Sequence, residues 1–147
     1  MITITSPSFV NNGHIPDKFT CNGENIHPRL DFYGIPEKTV SMVLTVVDPD
    51  SPSGHFTHWI VINIDPATRE ISEHATFYGA HAGRNDFGDS HYGGPCPGYG
   101  THRYVFTLYA LDKKLDLSSD ANRSQVEESM KGHIIDQGHL IGLYTKK

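Results

Sequence analysis

Three short runs of apolar, largely β-branched residues constrain the fold of this chain more than any other feature. They lie at residues 41–47, 58–64 and 104–111. Apolar side chains fill nearly every position of each run instead of recurring with the period of a helix. Continuous short runs of this kind are typical of strands that are buried on both faces. The sequence therefore predicts a mainly β protein whose central antiparallel strands lie in two packed sheets, a β-sandwich.

Weaker patterns predict further strands around these three. Residues 2–4 and 30–32 have the character of short strands, and residues 139–144 predict a last strand after Gly138 breaks the chain. Residues 79–100 are rich in Gly, Asp, Asn and Pro, and we expect them to be too polar for buried structure. Structureless loops beyond about 15 residues are uncommon unless they are functional. This segment is therefore predicted to be a functional loop or a packed Ω-like loop.

One helix is predicted near the C-terminus. Ser119, Asp120 or Asn122 could cap it, since short polar side chains accept from the free amides of the first turn. The apolar spacing continues to about Ile134 on one side of this helix. No repeat, linker or low-complexity tract interrupts the chain, so residues 1–147 are expected to form a single domain with few other helices.

Polar residues stand at the ends of the three apolar runs. Asp48 follows the first run, His58 opens the second, and His102 precedes the third. In antiparallel neighbours, the exit of one strand and the entry of the next lie at the same edge of the sheet. Strand alternation also puts His102 and Tyr104 on one face and Arg103 on the other, where it would form an ion pair. We therefore expect one polar pocket at this edge.

Each of these residues also has other interpretations. Asp48 could serve only turn chemistry, and His58 could be a packed core residue. Asp48, His58 and His102 are possible zinc or iron ligands, which would favour a hydrolase or metal-dependent enzyme, although no metal-binding spacing supports this. Cys96 lies near His102 but has no nucleophile signature around it. A carboxylate pair of Asp48 and Asp50 is disfavoured because the two side chains should point apart.

A glycine-rich loop precedes the third run. Residues 93–100 contain closely spaced glycines and prolines, and glycine lets backbone amides approach a ligand closely. Successive amides can form a concave site for an anion. A tight connection that needs positive φ is the alternative. Together with the imidazoles and the phenol, the loop would complete a donor set for an oxyanion.

Charge and cysteine usage exclude some functions. The net charge is −5, and no Lys or Arg cluster provides the phosphate contacts of a nucleic-acid-binding protein. No apolar stretch approaches the length of a membrane span, and no signal peptide is recognisable, so the expected location is the cytoplasm. Cys21 and Cys96 are far apart in sequence and outside any CxxC motif, and in that compartment a pair of this kind is more often reduced than joined in a disulfide.

Taken together, these motifs resemble the phosphatidylethanolamine-binding protein family, in its bacterial and archaeal Raf-kinase-inhibitor-like branch. The resemblance covers essentially the whole chain. Its core is Asp48-Pro49-Asp50-Ser51-Pro52, His58, Gly94-Pro95 and Gly100-Thr101-His102-Arg103-Tyr104, and its flanks are Phe19-Thr20-Cys21-Asn22-Gly23-Glu24-Asn25, Pro28, Asn85-Asp86-Phe87-Gly88 and Tyr92-Gly93-Gly94-Pro95-Cys96-Pro97.

The resemblance implies an antiparallel β-sandwich with few helices and a small pocket for phosphate-like anions or phospholipid head groups. The residues implied to line the pocket or shape its rim are Asp48, Pro52, His58, Gly94, Pro95, His102 and Tyr104. Family members act by binding, as inhibitors of kinases or proteases, so a partner kinase or protease and a homodimer are implied. No cofactor and no shared reaction are implied.

One departure from the family pattern affects the expected pocket. Animal members continue beyond the last strand into a helix that partly covers the pocket, whereas this chain stops at Lys147. We therefore expect a more open pocket, with generic anion binding better supported than lipid binding or kinase inhibition. The leading hypothesis is a binding protein for a phosphorylated small molecule, side chain or head group, and the alternative is an enzyme that uses the same cluster.

Overall fold

A computed structural model describes residues 1–147 and is built almost entirely of strands. A short 3-10 helix spans Asp17–Phe19 and the one α-helix, α1, spans Arg123–Met130. The strands are β1 Thr3–Thr5, β2 Gly13–His14, β3 Leu30–Tyr33, β4 Ser41–Asp48, β5 Phe56–Ile64, β6 Glu70–Ile71, β7 His81–Ala82, β8 Thr101–Leu111 and β9 Ile134–Thr145. The predicted mainly β class is confirmed, and the three apolar runs form β4, β5 and β8.

Two sheets contain these strands. The large sheet has six strands in the order β2-β9-β8-β4-β5-β7, and the small sheet has three in the order β1-β3-β6. All pairings are antiparallel except that of β2 with β9. Strands β4 and β8 pair residue for residue from Ser41 with Leu111 to Val47 with Val105. The two long apolar runs therefore lie side by side at the centre of the molecule.

One face of the large sheet packs against the small sheet. The even-numbered residues of β4 and β8, among them Leu44, Val46, Phe106 and Leu108, belong to a cluster of 21 buried residues. The small sheet contributes Ile4, Leu30, Phe32 and Ile71 to the same cluster. We call this the closed face, because the small sheet packs on it with apolar side chains.

The other face of the large sheet is not covered by a second sheet, as the predicted two-sheet packing would require. Its cover is α1 and the segment before it, not a sheet, and the buried cluster there has 8 residues, including Val43, Ile60, Val126 and Met130. A short helix covers less area than a sheet does. We call this the helix face, and part of it carries no cover.

Helix α1 is shorter than predicted. Asn122 caps it, and a reciprocal bond from the side chain of Gln125 to the Asn122 backbone completes a capping box. The helix ends at Met130, because Lys131 leaves helical geometry and Gly132 has a φ of 78°. The predicted extension to Ile134 is therefore wrong, since Ile134 begins β9.

The sequence predicts that Gly138 breaks the chain before the last strand, and this prediction is wrong. Gly138 lies inside β9, paired with Leu108. A Cβ there would lie 2.3 Å from the carbonyl oxygen of Ile2, so the glycine serves a close crossing of the N-terminal segment. The last strand consequently starts five positions earlier than the predicted start at residue 139.

The segment 79–100 is more ordered and more buried than expected. It contains β7, and its buried members include Asn85 and Tyr92. The Asn85 side chain accepts from the amides of Phe87 and Asp89 and donates to the carbonyl of His91. Such side-chain bonds satisfy the backbone that a polar loop would otherwise leave unpaired. The prediction that this segment is too polar for burial is therefore wrong.

The two cysteines form a disulfide. The Cys21 and Cys96 sulfur atoms are bonded, with the Cα atoms 5.5 Å apart across a sequence separation of 75 residues. The predicted reduced thiols are therefore wrong, because the fold brings together two loops that the sequence keeps apart. The bridge joins the turn after the 3-10 helix to the glycine-rich loop before β8. No helix in the structure has both the length and the apolarity to cross a membrane.

Candidate functional site

Asp48 and His102 meet at the end of the closed face. Asp48 is the last residue of β4 and His102 the second residue of β8, and His102 Nδ1 lies 2.7 Å from Asp48 Oδ2. Both side chains are 5% exposed. The other carboxylate oxygen, Oδ1, accepts the amide of Asp50 at 2.7 Å. Because a carboxylate only accepts, Nδ1 carries a hydrogen and the orientation of the imidazole is fixed.

A β-bulge in β5 places His58 close to Asp48 and His102. Val46 pairs with Trp59 and Val47 with Thr57, which leaves His58 as the extra residue of β5. Bulges commonly redirect a side chain in this way. His58 Nδ1 donates to the Gly93 carbonyl oxygen at 2.7 Å. Burial lowers the pKa of His58 below its usual value of 6.5, so this imidazole is neutral at neutral pH.

Tyr104 lies between the two imidazoles. Its ring stacks against His102, with centroids 6.5 Å apart, and meets His58 edge-on at 5.2 Å. Burial raises the pKa of Tyr104, as does the nearby Asp48 carboxylate. The phenol is therefore a neutral donor or acceptor throughout the physiological range.

These side chains enclose a cavity of about 240 Å³, which we call the imidazole cavity. Of the predicted site residues, five line it: Asp48, Pro52, His58, His102 and Tyr104. The structure adds Ser51, Phe56, Phe87, Cys96, Pro97 and Gly98 to the lining. Phe56 and Phe87 each meet His58 edge-on. Strand alternation could have placed Phe56 beside His58, but nothing in the sequence pattern marks Phe87, which lies in a loop.

Gly94 and Pro95 do not line the imidazole cavity. The Gly94 amide donates to Asn25 Oδ1 at 2.8 Å, and the Pro95 carbonyl accepts from the amide of Cys21. A Cβ at Gly94 would lie 2.3 Å from the carbonyl oxygen of Phe19. The glycine is therefore needed for close contact between two loops. Its amide already donates to Asn25 in this structure, and its predicted ligand contact stays a prediction.

Arg103 points away from the cavity, as the alternation of β8 predicts. It forms a two-pronged ion pair with Asp50 through Nε and Nη2, at 2.9 and 2.8 Å. The Arg103 amide also donates to Asp50 Oδ2. The Arg103 guanidinium lowers the pKa of Asp50 to about 2. Asp50 therefore anchors the β4–β5 loop, and Asp48 and Asp50 do not form a carboxylate pair.

The remaining ring nitrogens are the chemically available atoms. His102 Nε2 is buried and has no hydrogen-bond partner. His58 is held through Nδ1, so its Nε2 is likewise the free atom of its ring. An unpaired buried polar atom is uncommon in a folded protein and points to a missing ion, water or ligand. No group of three or more His, Cys, Asp or Glu side chains is placed to hold a metal ion.

Comparison with known proteins identifies the family. The family model described as phosphatidylethanolamine-binding protein matches residues 5–145. A UPF0098 protein of Pyrococcus horikoshii is 47% identical, over 97% of this chain and 76% of the relative. A UPF0098 protein of Methanothermobacter thermautotrophicus is 41% identical, over 99% of both chains.

Solved structures agree with the sequence relatives. A phosphatidylethanolamine-binding protein homologue from Chlamydia trachomatis superposes with a TM-score of 0.95 at 38% identity, covering 99% of this chain and 98% of that one. The E. coli protein YbcL, described as a new member of the mammalian family, superposes with a TM-score of 0.93 at 29% identity, covering 99% of both chains. The chain therefore belongs to the phosphatidylethanolamine-binding protein family.

Proposed function

We propose that this protein binds a phosphate-like anion in the imidazole cavity, either free or as part of a phosphorylated small molecule, side chain or lipid head group. One observation carries the proposal: His102 Nε2 is buried in the cavity wall without a partner. Asp48 holds that ring in place through Nδ1. A ring fixed on one side and unsatisfied on the other is prepared to bind a ligand.

The hydrogen-bond partners of the two rings dictate how an anion would bind. His102 Nδ1 faces a carboxylate and His58 Nδ1 faces a carbonyl, so both Nδ1 atoms carry hydrogens. In the neutral rings each Nε2 is then an acceptor. An anion can be accommodated only if protons lie between it and these nitrogens. The protons can come from solvent, giving imidazolium, or from the acidic hydroxyl of a protonated phosphate.

Binding should therefore take up protons, and affinity should rise as pH falls. Burial lowers the pKa of His58 in the empty cavity, whereas a bound anion favours the charged ring and raises it again. Affinity should then increase as pH drops from neutrality. Hydrogen bonds to charged groups are worth about 1.5–3 kcal/mol, so removing His102 should cost roughly 10- to 100-fold in affinity.

Calorimetric titration with inorganic phosphate and with phosphoethanolamine at pH 6 tests this proposal. Wild type should bind, His102→Ala should bind roughly 10- to 100-fold more weakly, and His14→Ala, an exposed control in β2, should match wild type. At pH 7 the measured enthalpy should vary with the ionisation enthalpy of the buffer. Absence of binding at pH 6, or equal affinity in His102→Ala, would contradict the proposal.

A macromolecular role would use the same cavity. The family resemblance supports extending the proposal to a phosphorylated side chain of a partner kinase or protease, which this protein would restrain, and to a homodimer. We keep the cytoplasm as the proposed location. A disulfide is unusual there in mesophiles, but intracellular proteins of hyperthermophiles are an exception, and the relatives from Pyrococcus horikoshii and Methanothermobacter thermautotrophicus are archaeal.

A further inference from the structure

A second polar cavity lies on the helix face, in the part that α1 leaves uncovered. Its volume is about 410 Å³, which is larger than the imidazole cavity and within the usual range for small-molecule sites. The two cavities share no lining residue. We call this second cavity the helix-face cleft.

The floor of the cleft is a row of hydroxyl groups. Thr45 of β4 and Thr107 of β8 are directly paired across the sheet, and both residues are buried. Thr107 Oγ1 bonds to His139 Nδ1 at 2.9 Å. The closed face has apolar side chains at the neighbouring positions Leu44 and Val46. A hydroxyl floor in the middle of a sheet suits a polar ligand better than it suits core packing.

The walls and the rim give the cleft a mixed character. Val47, Val105 and Pro49 supply apolar surface beside the hydroxyl floor. Arg123, the first residue of α1, brings a guanidinium to the rim. Glu127, one turn further along α1, also lines the cleft, so an anion with an apolar body would bind Arg123 once the Glu127 carboxylate turns away.

Arg123 is not satisfied by the protein itself. Its Nε and Nη1 atoms are buried and have no hydrogen-bond partner. The nearest acidic atom, Glu127 Oε1, is 3.8 Å from Nε, which is beyond hydrogen-bonding distance. The Glu127 side chain is 53% exposed and so is free to turn toward solvent. A guanidinium whose buried donors are unpaired is a costly element of a fold, and a bound carboxylate would compensate its charge.

We propose that the helix-face cleft is a second binding site, for a small organic carboxylate with an apolar body. The carboxylate would lie against Arg123 above the hydroxyls of Thr45 and Thr107, and the apolar body would pack between Val47 and Val105. This site is independent of anion binding in the imidazole cavity. A planar guanidinium matches a carboxylate better than a lysine would, because its donors are fixed in one plane.

Benzoate is a suitable probe, followed by amide chemical shifts in a two-dimensional NMR spectrum of the whole chain at pH 7. At about 10 mM, enough to occupy a site of millimolar affinity, benzoate should shift the amides of Thr45, Val105, Thr107 and Arg123. Neutral benzyl alcohol should give much smaller shifts there. Excess inorganic phosphate should not reverse the benzoate shifts, because phosphate is expected in the other cavity.

Variants then test the assigned charge. Arg123→Met should weaken benzoate binding by at least roughly 10-fold, the lower end for loss of a charged hydrogen bond. Arg84→Met, an exposed arginine outside the cleft, should bind benzoate like wild type. The proposal is overturned if wild-type shifts are absent or map to the imidazole cavity, if phosphate reverses them, or if benzyl alcohol or Arg123→Met binds equally well. The wild-type map locates the site even if one variant does not fold.

Discussion

The two faces of the large sheet use the same strands but are completed in different ways. On the closed face, β4 and β8 present Leu44 and Phe106 to the small sheet, and 21 residues are buried together. On the helix face, the intervening positions present Thr45 and Thr107, and the buried cluster has 8 residues. Strand alternation thus separates a continuous core from a partly polar surface within the same residues.

Because the two faces are covered differently, their cavities form at different positions on the large sheet. The imidazole cavity lies at the very end of the closed face, where Asp48 and His102 replace apolar side chains. The helix-face cleft lies at mid-sheet, where the cover is missing. A dense core gives the first cavity a rigid support, whereas the second depends on one short helix.

The largest effect should come from truncating the closed face. Leu44→Ala removes a fully buried side chain and should lower the free energy of unfolding by about 2–5 kcal/mol. Val47→Ala, a half-buried position of β4 on the helix face, should cost about 1 kcal/mol or less. Urea unfolding measures both. Equal losses in the two variants would show that the two faces contribute equally to stability, against this prediction.

Removing the disulfide should have the next largest effect. The double variant Cys21→Ser with Cys96→Ser releases a cross-link over 75 residues, and the free energy of unfolding should fall by about 2–4 kcal/mol. Reducing agent should lower the urea midpoint of wild type and leave that of the variant unchanged. A wild-type midpoint that is insensitive to the reductant, with the disulfide shown to be open, would refute this expectation.

Acid should destabilise the protein through two of its buried histidines, His27 and His58. Burial lowers the pKa of His27 and of His58 below 6.5 in the folded state. Below pH 6.5 the unfolded chain therefore binds more protons than the folded protein does. The free energy of unfolding falls as pH drops toward the folded pKa values, by at most about 1.4 kcal/mol per pH unit for each histidine.

Variants assign this pH dependence to the closed face. His27 stacks on Trp59, with ring centroids 4.6 Å apart, so His27→Phe keeps an aromatic ring and removes a titrating group. The slope of unfolding free energy against pH between about 6.5 and the folded pKa should become shallower. An unaltered slope in His27→Phe would count against the assignment.

The smallest effect should come from the hydroxyl floor. Thr107→Val removes the bond to His139 Nδ1 and keeps a similar shape. Because the exposed His139 can bond to water instead, the free energy of unfolding should change by less than about 1 kcal/mol. Thermal unfolding beside that of Leu44→Ala provides the measurement. A loss as large as that of Leu44→Ala would mean that the floor is part of the core and not of a binding cleft.

The sequence predicted those parts of the protein that follow from local periodicity. The runs at β4, β5 and β8, and the gathering of Asp48, His58 and His102 at one edge, depend on alternation and antiparallel geometry alone. That Asp48 bonds to His102 and not to His58 appears only in the structure. The structure could not be anticipated where distant segments meet. The disulfide, the crossing of Ile2 over Gly138 and the packing of Gly94 against Phe19 all join residues that are far apart in sequence.

The sequence could not predict the placement of Phe87 or the bulge at His58 either. No spacing marks a loop phenylalanine as the neighbour of an imidazole, and a bulge inverts the alternation on which the prediction relied. The sequence analysis did not identify Arg123 as a site residue. It offered three possible capping residues for α1, so the first residue of the helix was not determined. Its importance appears only when the uncovered part of the sheet is known.

The β4–β5 loop forms a wall of both cavities. Ser51 and Pro52 face the imidazole cavity, whereas Pro49 and His55 face the helix-face cleft. Ligands in the two cavities would thus touch opposite sides of one segment, which the ion pair of Asp50 with Arg103 anchors. Thermodynamic linkage is reciprocal, so any factor by which one ligand changes the affinity of the other must apply equally in the reverse direction. If both cavities bind ligands, this loop is the segment through which such a factor would act.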